Sequence, residues 1–515
     1  MEAAQIHQQH SRRWIILAFL GLAQLMVVLD ATIVNVALPS MQLSLGFSNV
    51  DRQWLITAYS LAFGSLLFLG GRLSDVLGRK TTMQLGLIGF AFASALGGAA
   101  QSFSMLVAAR AIQGAFGAIL APAALAMLTT TFTDPEERGK AFGIYGSIAG
   151  AGAAIGLLLG GILTQYLDWR WCLYVNLIFA GVALVGTQAL LVRERGTASG
   201  GLDLVSTSLI SGGLFAIVYG LSSAATTATN DATSGMTVTL TSVFGTATTI
   251  GWLVVGVALV GLFVFRQTRI ERPMLPMDVV LDRARGGSFL SILIAAASMF
   301  ATFFFLTFYL QKVHGYSPVR TGLAFLPMVV VLSATAATAS TKLLPKIGPR
   351  PLTTTGMALG AGAMLIFTQL TVTSSYTTHV LPGLLVAGMA MGLVFATSMN
   401  TATARVRPEY AGSASASVNV TQQVGGSIGT ALLSTVAIAA SIAFLPKGFI
   451  LTSTPTAAQA ALYKAGQVDG YTTAFWWAAG MFAIGALIAG FVLPSGRPQT
   501  AAAEPEPETK LAVAV

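Results

Sequence analysis

The sequence predicts an all-α integral membrane protein, and three observations carry that prediction. Charged residues make up 9% of the 515-residue chain and apolar residues 54%. A soluble domain carries about 25% charged residues, so much of this surface faces lipid. Apolar runs of the length needed to cross a bilayer, about 20 residues, recur fourteen times. Basic residues collect in every second connection between them, as the positive-inside rule requires of a multi-pass chain.

The runs fall near 14–36, 53–70, 82–99, 106–128, 140–163, 171–191, 204–222, 248–266, 288–310, 319–340, 352–370, 380–402, 415–444 and 473–493. Backbone groups in lipid must pair within their own segment, so long unbroken runs are helices and not barrel strands. With the N-terminus in the cytoplasm, 21 of the 28 basic residues lie on the cytoplasmic side, 6 lie outside, and Arg110 lies within a span. A miscounted span would invert every later connection and erase that asymmetry. The even count places both termini in the cytoplasm. Topology also accounts for the net charge of +9, so no nucleic-acid partner is implied. The N-terminal segment enters the first run without a small-residue cleavage site and is read as a retained span. Arginine exceeds lysine 20 to 8, which fits a GC-rich bacterial gene and hence a bacterial cytoplasmic membrane. Two outside connections are long: 223–247, rich in Thr, Ser and Ala, and roughly 445–472. The C-terminal tail reads as disordered.

Several chemistries are disfavoured. The single cysteine, Cys172, supports no disulfide or cysteine-based metal site. His7, His10, His314 and His379 lack metal-ligand spacing, so no metal site and no cofactor are expected. No phosphate-binding Gly-rich loop ending in Lys-Ser/Thr appears, which argues against ATP-driven transport by this chain. No catalytic motif appears either, so catalytic residues are none; a membrane-embedded enzyme is the alternative of a different class.

The turn after the second run reads Gly71-Arg72-Leu73-Ser74-Asp75-Val76-Leu77-Gly78-Arg79-Lys80. Its glycines allow a tight reversal, and Asp75 sits among three cations. This turn resembles the signature of the major facilitator superfamily. Further segments resemble its fourteen-span drug:proton antiporter branch: Leu29-Asp30-Ala31-Thr32-Ile33-Val34-Asn35 through Pro39, Arg110-Ala111-Ile112-Gln113-Gly114, Trp169-Arg170-Trp171 through Asn176, Tyr309-Leu310-Gln311 through Ser317, and Gln422-Gln423-Val424-Gly425-Gly426. The resemblance covers about residues 12 to 495. It implies two six-helix major facilitator halves plus two inserted helices. The implied organisation is residues 1–200 as the N-terminal half (spans 1–6) and 201–270 as inserted spans 7 and 8 with an external Thr/Ser-rich loop. Residues 271–495 form the C-terminal half (spans 9–14), and 496–515 a disordered cytoplasmic tail. It further implies efflux of multidrug or antibiotic-resistance type, driven by the proton-motive force, with protons, a small lipophilic substrate and the lipid bilayer as partners and a monomeric state. Lys346-Ile347-Gly348-Pro349-Arg350 occupies the place in the second half that Gly71–Lys80 holds in the first, as expected of repeated halves.

Ionisable residues within a membrane are costly and mark function. Of the 19 acids, Asp30 alone lies well inside a span, and Arg110 is the matching base. Counted from the outer ends of their runs at about 1.5 Å per residue, their depths differ by ~3 Å. Burial penalises the carboxylate's charge and a neighbouring cation favours it, which suits Asp30 to carry a proton with Arg110 as its electrostatic partner. A static ion pair that only fixes packing is the alternative. With one intramembrane acid, neutral or singly charged substrates are expected.

In the fifth run Gly152, Gly156 and Gly160 recur at every fourth residue and permit close helix approach. The family's antiport motif reads Gly-Pro-x-x-Gly-Gly, whereas here Gly156-Leu157-Leu158-Leu159-Gly160-Gly161 has leucine at the proline position. That departure keeps a second reading open, a proton symporter importing a metabolite or metallophore. Phe300, Phe303, Phe304, Phe305, Phe308 and Tyr309 make the ninth run aromatic, read as lipid contact and packing, with reception of flat lipophilic ligands as the alternative. Asn419, Gln422 and Gln423 share one helix face. With Asn35 and Tyr309, they are candidates for substrate contact.

Overall fold

The computed structural model describes residues 12–132, 134–191, 203–233, 244–271, 273–275, 277–404, 411–446, 449 and 456–495. Among the described residues the fold is all-helical, with fourteen long helices in the order of the fourteen apolar runs. They are α1 (Arg13–Leu45), α2 (Trp54–Leu77), α3 (Arg79–Gly98), α4 (Phe103–Thr131), α5 (Pro135–Tyr166), α6 (Trp171–Leu190), α7 (Leu204–Thr233), α8 (Ala247–Gln267), α9 (Arg283–Phe308), α10 (Pro318–Thr338), α11 (Pro349–Phe367), α12 (Leu381–Thr403), α13 (Ala411–Phe444) and α14 (Ala457–Val492). Among the described residues, eleven stretches are long and apolar enough to cross a membrane. The other three helices, α3, α5 and α11, begin with charged or proline residues and are rich in Gly, Thr or Ser, which dilutes their hydropathy.

Packing repeats between α1–α6 and α9–α14. In the first set α1 packs on α5 and α6, α2 on α4, and α3 on α4 and α6. In the second, α9 packs on α13 and α14, α10 on α12, and α11 on α12 and α14. The sets meet along two equivalent seams, α2 with α13 and α5 with α10. Backbone geometry repeats as well. Gly46 and Gly315 (φ 67° each) follow the first helix of each set, and Gly78 and Gly348 (φ 84° and 81°) precede the third. Positive φ is a conformation glycine adopts without steric penalty. Helices α7 and α8 pack on each other, and α7 rests on α13 and α2. The outward face of α8 carries exposed Val254, Val257, Leu262 and Phe265, suited to lipid.

Three expectations change. Helix α14 begins at Ala457, within the connection expected at 445–472. Thr456 and Gln459 form a capping box there, and an alanine-rich stretch follows; Lys464 and Asp469 had lowered its apolar character. Helix α7 runs to Thr233, beyond the expected end at 222. Of the lipid contact and packing expected for the aromatic run, only packing holds: Phe303, Phe304, Phe305 and Phe308 of α9, and Tyr309 just after it, are buried in the core. Phe303 packs on Phe325, and Phe305 on Tyr471 and Phe475. Near the α1–α2 connection the two sets are tied by Gln311 Nε2 donating to the Val36 carbonyl (2.9 Å), by Asn49 Nδ2 donating to Tyr463 (2.9 Å), and by the Arg52 guanidinium over Phe308 (4.1 Å). The tail at 496–515 and residues 234–243 of the Thr/Ser-rich connection lie outside the described residues.

Candidate functional site

Asp30 lies midway along α1 and is 0% exposed; Arg110, on α4, is 3% exposed. Their ion pair measures 2.6 Å, from Arg110 Nη1 to Asp30 Oδ2. The other carboxylate oxygen accepts from Gln113 Nε2 (2.7 Å) and Asn176 Nδ2 (2.7 Å). One acid on α1 is thus held by donors from α4 and α6. The donors are themselves fixed. Gln113 Nε2 also donates to Ser94 Oγ on α3 (2.8 Å), and Gln113 Oε1 accepts from Arg110. Arg110 Nε donates to the Leu55 carbonyl on α2 (3.2 Å), and its guanidinium lies 4.4 Å from the Tyr59 ring centre. Burial strengthens each of these interactions and makes each one costly to lose.

The helices reach this site because small residues let them. Gly114 follows Gln113 on α4, and a Cβ there would stand 2.2 Å from the Tyr59 carbonyl oxygen. On α5, Gly152 faces Leu25 and Val28, Gly156 faces Leu29 and Thr32, and Gly160 faces Ile33. These three glycines seat α5 against the stretch of α1 that carries Asp30. Gly161 turns instead to α10, against Pro318 and Val319.

The Gly71–Lys80 segment is placed apart from the ion pair; it is not a turn throughout, because α2 continues through Leu77 and the reversal falls at Gly78 alone. Gly78 (φ 84°, ψ 147°) separates α2 from α3. Lys80 Nζ donates to the carbonyls of Gln188 (3.1 Å) and Leu191 (2.7 Å) at the end of α6. Arg72 is half-buried, Arg79 makes interactions of its own, and the Asp75 side chain lies outside the described residues. Gly78→Ala is expected to cost about 1–3 kcal/mol, because that backbone region is essentially glycine-only. Gly71→Ala, inside α2 and with a Cβ that would meet nothing nearer than Pro122 at 3.9 Å, should cost nothing and stabilise by up to about 1 kcal/mol. Thermal unfolding in detergent checks the pair, and equal shifts would count against the argument.

The proposed substrate contacts separate. The Asn35 amide donates to the Ala31 carbonyl on its own helix (3.0 Å). Tyr309 is buried, with its hydroxyl given to the Thr371 carbonyl (2.7 Å), so it is spent on packing within α9–α14. Asn419, Gln422 and Gln423 are half-buried on α13. Gln423 lies against Gly64 of α2, where a glycine Cβ would stand 3.2 Å from its own Cβ. Sequence reasoning did not assign Asn176, Ser94 or Tyr59 to the Asp30 cluster. Asn176 closed a recognised motif and was within reach; Ser94 and Tyr59 carried no signal.

Outside the spans, Asp203 precedes α7. Burial raises its pKa, but donors from Ser206 and Arg266 outweigh that and hold the carboxyl below its usual range.

Known proteins agree with this architecture. The chain matches the Major Facilitator Superfamily over residues 20–430. A puromycin resistance protein of Streptomyces alboniger is 45% identical over 498 residues, 96% of this chain and 94% of the relative. A cephamycin export protein of Amycolatopsis lactamdurans is 35% identical, over 80% of this chain and 83% of that one. Among solved structures, an inward-facing bacterial homologue of the human lysosomal transporter Spinster superposes with a TM-score of 0.62 at 16% identity, covering 93% and 96% of the two chains. Matched along most of its length by that family and by resistance and export proteins, this chain is a multi-pass membrane transporter that belongs to the Major Facilitator Superfamily.

Proposed function

We propose that the protein exports small lipophilic antibiotics or drugs in exchange for protons, by alternating access, with all fourteen long helices crossing the cytoplasmic membrane. The observation that carries this reading is the fully buried Asp30 held by Arg110, Gln113 and Asn176. An acid is costly at that depth unless it works, and a resistance protein and an export protein are similar to 96% and 80% of the chain.

In the proposed cycle substrate enters from the cytoplasm or inner leaflet while Asp30 is ionised. The two six-helix sets then rock and release it outside. A proton from outside neutralises Asp30 and loosens its hold on Arg110. Arg110 also anchors α2 through the Leu55 carbonyl, so a change at Asp30 reaches a helix of the α2–α13 seam. Release of the proton inward resets the carrier, and the Gly71–Lys80 segment latches the cytoplasmic side.

The test is reconstitution of wild type and Asp30→Asn in inverted vesicles with an acidic lumen. Wild type should accumulate puromycin in the lumen at the expense of the gradient, and Asp30→Asn should lose gradient-driven accumulation by 100-fold or more. Loss of preloaded puromycin together with protons would establish the symporter reading instead, to which Leu157 in the motif's proline position lends weight. Undiminished accumulation in Asp30→Asn would remove Asp30 from proton coupling.

A further inference from the structure

The two equivalent seams between the helix sets differ in chemistry. Along α5–α10 the backbones nearly touch: a Cβ on Gly322 would stand 2.4 Å from the Leu157 carbonyl oxygen, and one on Gly161 2.8 Å from that of Pro318. Among the described residues of those two helices, no buried side-chain polar atom lacks a hydrogen-bond partner. The α2–α13 seam is the opposite case. Gln53, at the entry to α2, and Thr57 and Ser60 within it are buried, and their side-chain polar atoms have no partner among the described residues. The same holds for Ser427, Thr430 and Ser434 on α13.

These six residues form two facing rows. Spacings of four and three residues put Gln53, Thr57 and Ser60 on one face of α2, together with Gly64. Ser427, Thr430 and Ser434 share a face of α13 with Gln423 by the same rule. Gly64 meets Gln423 and Val424, which fixes the register of two antiparallel helices. That register brings Ser60 level with Ser427, Thr57 with Thr430 and Gln53 with Ser434. Each row spans roughly 10 Å at about 1.5 Å per residue, the length of a small drug. Helix α7 covers one flank. Leu214 and Val218 pack with Leu61, Val424 and Ala431, and Thr435 Oγ1 donates to the Leu221 carbonyl (2.8 Å).

Buried polar groups are nearly always satisfied, and unsatisfied ones call for an explanation. Here six converge on one interface between the two helix sets, and all are neutral. Hydroxyls both donate and accept, and the Gln53 amide offers one function of each kind. Such a lining suits a ligand with several neutral hydrogen-bonding groups of mixed polarity and places no demand on its charge.

We propose that the α2–α13 seam is a hydrogen-bonding track for the carbonyl, hydroxyl and amide groups of the exported molecule. The track starts beside Gln423 near the middle of the bundle and ends at Gln53 by the α1–α2 connection. The seam is closed in this structure, and parting of α2 from α13 opens the two rows to the substrate. The preferred substrates are therefore lipophilic molecules rich in neutral hydrogen-bonding groups. This inference rests on the export reading above and names its substrate class.

The experiment compares puromycin, which carries hydroxyl, amide and amine groups, with tetraphenylphosphonium, which carries none. Wild type and a Thr57→Val, Ser60→Ala, Ser427→Ala, Thr430→Val, Ser434→Ala variant are reconstituted as above. Gln53→Leu alone serves as a milder variant, and thermal unfolding identifies any variant that has not folded. The track predicts a puromycin KM raised tenfold or more in the multiple variant and about threefold in Gln53→Leu. It predicts tetraphenylphosphonium transport within twofold of wild type. Equal losses for both probes would make the seam a gate without substrate contact, and an unchanged puromycin KM would leave it no role in recognition. If wild type does not move tetraphenylphosphonium, the kinetic split decides: a rise in KM supports the track and a fall in kcat alone overturns it. Wild type that moves tetraphenylphosphonium but not puromycin overturns the track; wild type that moves neither overturns the export reading itself.

Discussion

Arg110→Ala is expected to cost about 3–5 kcal/mol of stability and to abolish proton-driven transport. The magnitude follows from the site. Arg110 and Asp30 are both buried, and removing one partner leaves the other charge uncompensated away from water. The loss also frees Gln113 Oε1 and the Leu55 carbonyl from their donor. The double variant Asp30→Asn with Arg110→Ala should recover much of the stability, because no lone charge then remains, while transport stays absent. Thermal unfolding of the purified protein and gradient-driven puromycin uptake give the two readings. Recovery of both would make the ion pair a packing device. Arg110→Lys should sit between these cases, since lysine keeps the charge but cannot reach Asp30 Oδ2, Gln113 Oε1 and the Leu55 carbonyl with one planar group.

Gly114→Ala is expected to cost about 1–3 kcal/mol by overpacking and to lower transport tenfold or more. The added carbon would lie 2.2 Å from the Tyr59 carbonyl oxygen and 3.1 Å from its Cα, so the obstacle is backbone. No rotamer change relieves it, and α4 must move away from α2. That movement stretches the bond from Arg110 to the Leu55 carbonyl, one turn along the same contact. Gly152→Ala is the control. Its Cβ would meet side-chain carbons of Leu25 and Val28 at 3.1–3.3 Å, which yield by small rotations, so transport should stay within about threefold. Unfolding temperature and uptake again decide, and a reversed order of the two variants would refute the close-contact argument.

Some of this was legible in the sequence, for reasons that lie in the bilayer. A lipid solvent forces backbone groups to pair locally, so each apolar run had to be a helix, and the order of helices followed from counting. The cost of charge in that solvent singled out Asp30 and Arg110 before any geometry was known, and the structure brings them to 2.6 Å. The glycine repeat in α5 announced a close approach, but not its partner; Gly152, Gly156 and Gly160 turn out to face α1 and Gly161 to face α10.

What the sequence by itself determined is therefore the fold class, the family and the one deep acid–base pair. Only the tertiary structure decided which helix faces meet. In a helix apolar on every side, periodicity carries little direction, so nothing local distinguishes a lipid face from a core face. Phe304 and Phe308 read equally as lipid contact or packing, and prove to be core beneath Arg52. Ser94 and Asn176 join Asp30 only because α3, α4 and α6 converge there. The facing rows of α2 and α13 exist only once Gly64 and Gln423 set the register. Burial and pairing are properties of two surfaces together, and a sequence supplies them one at a time.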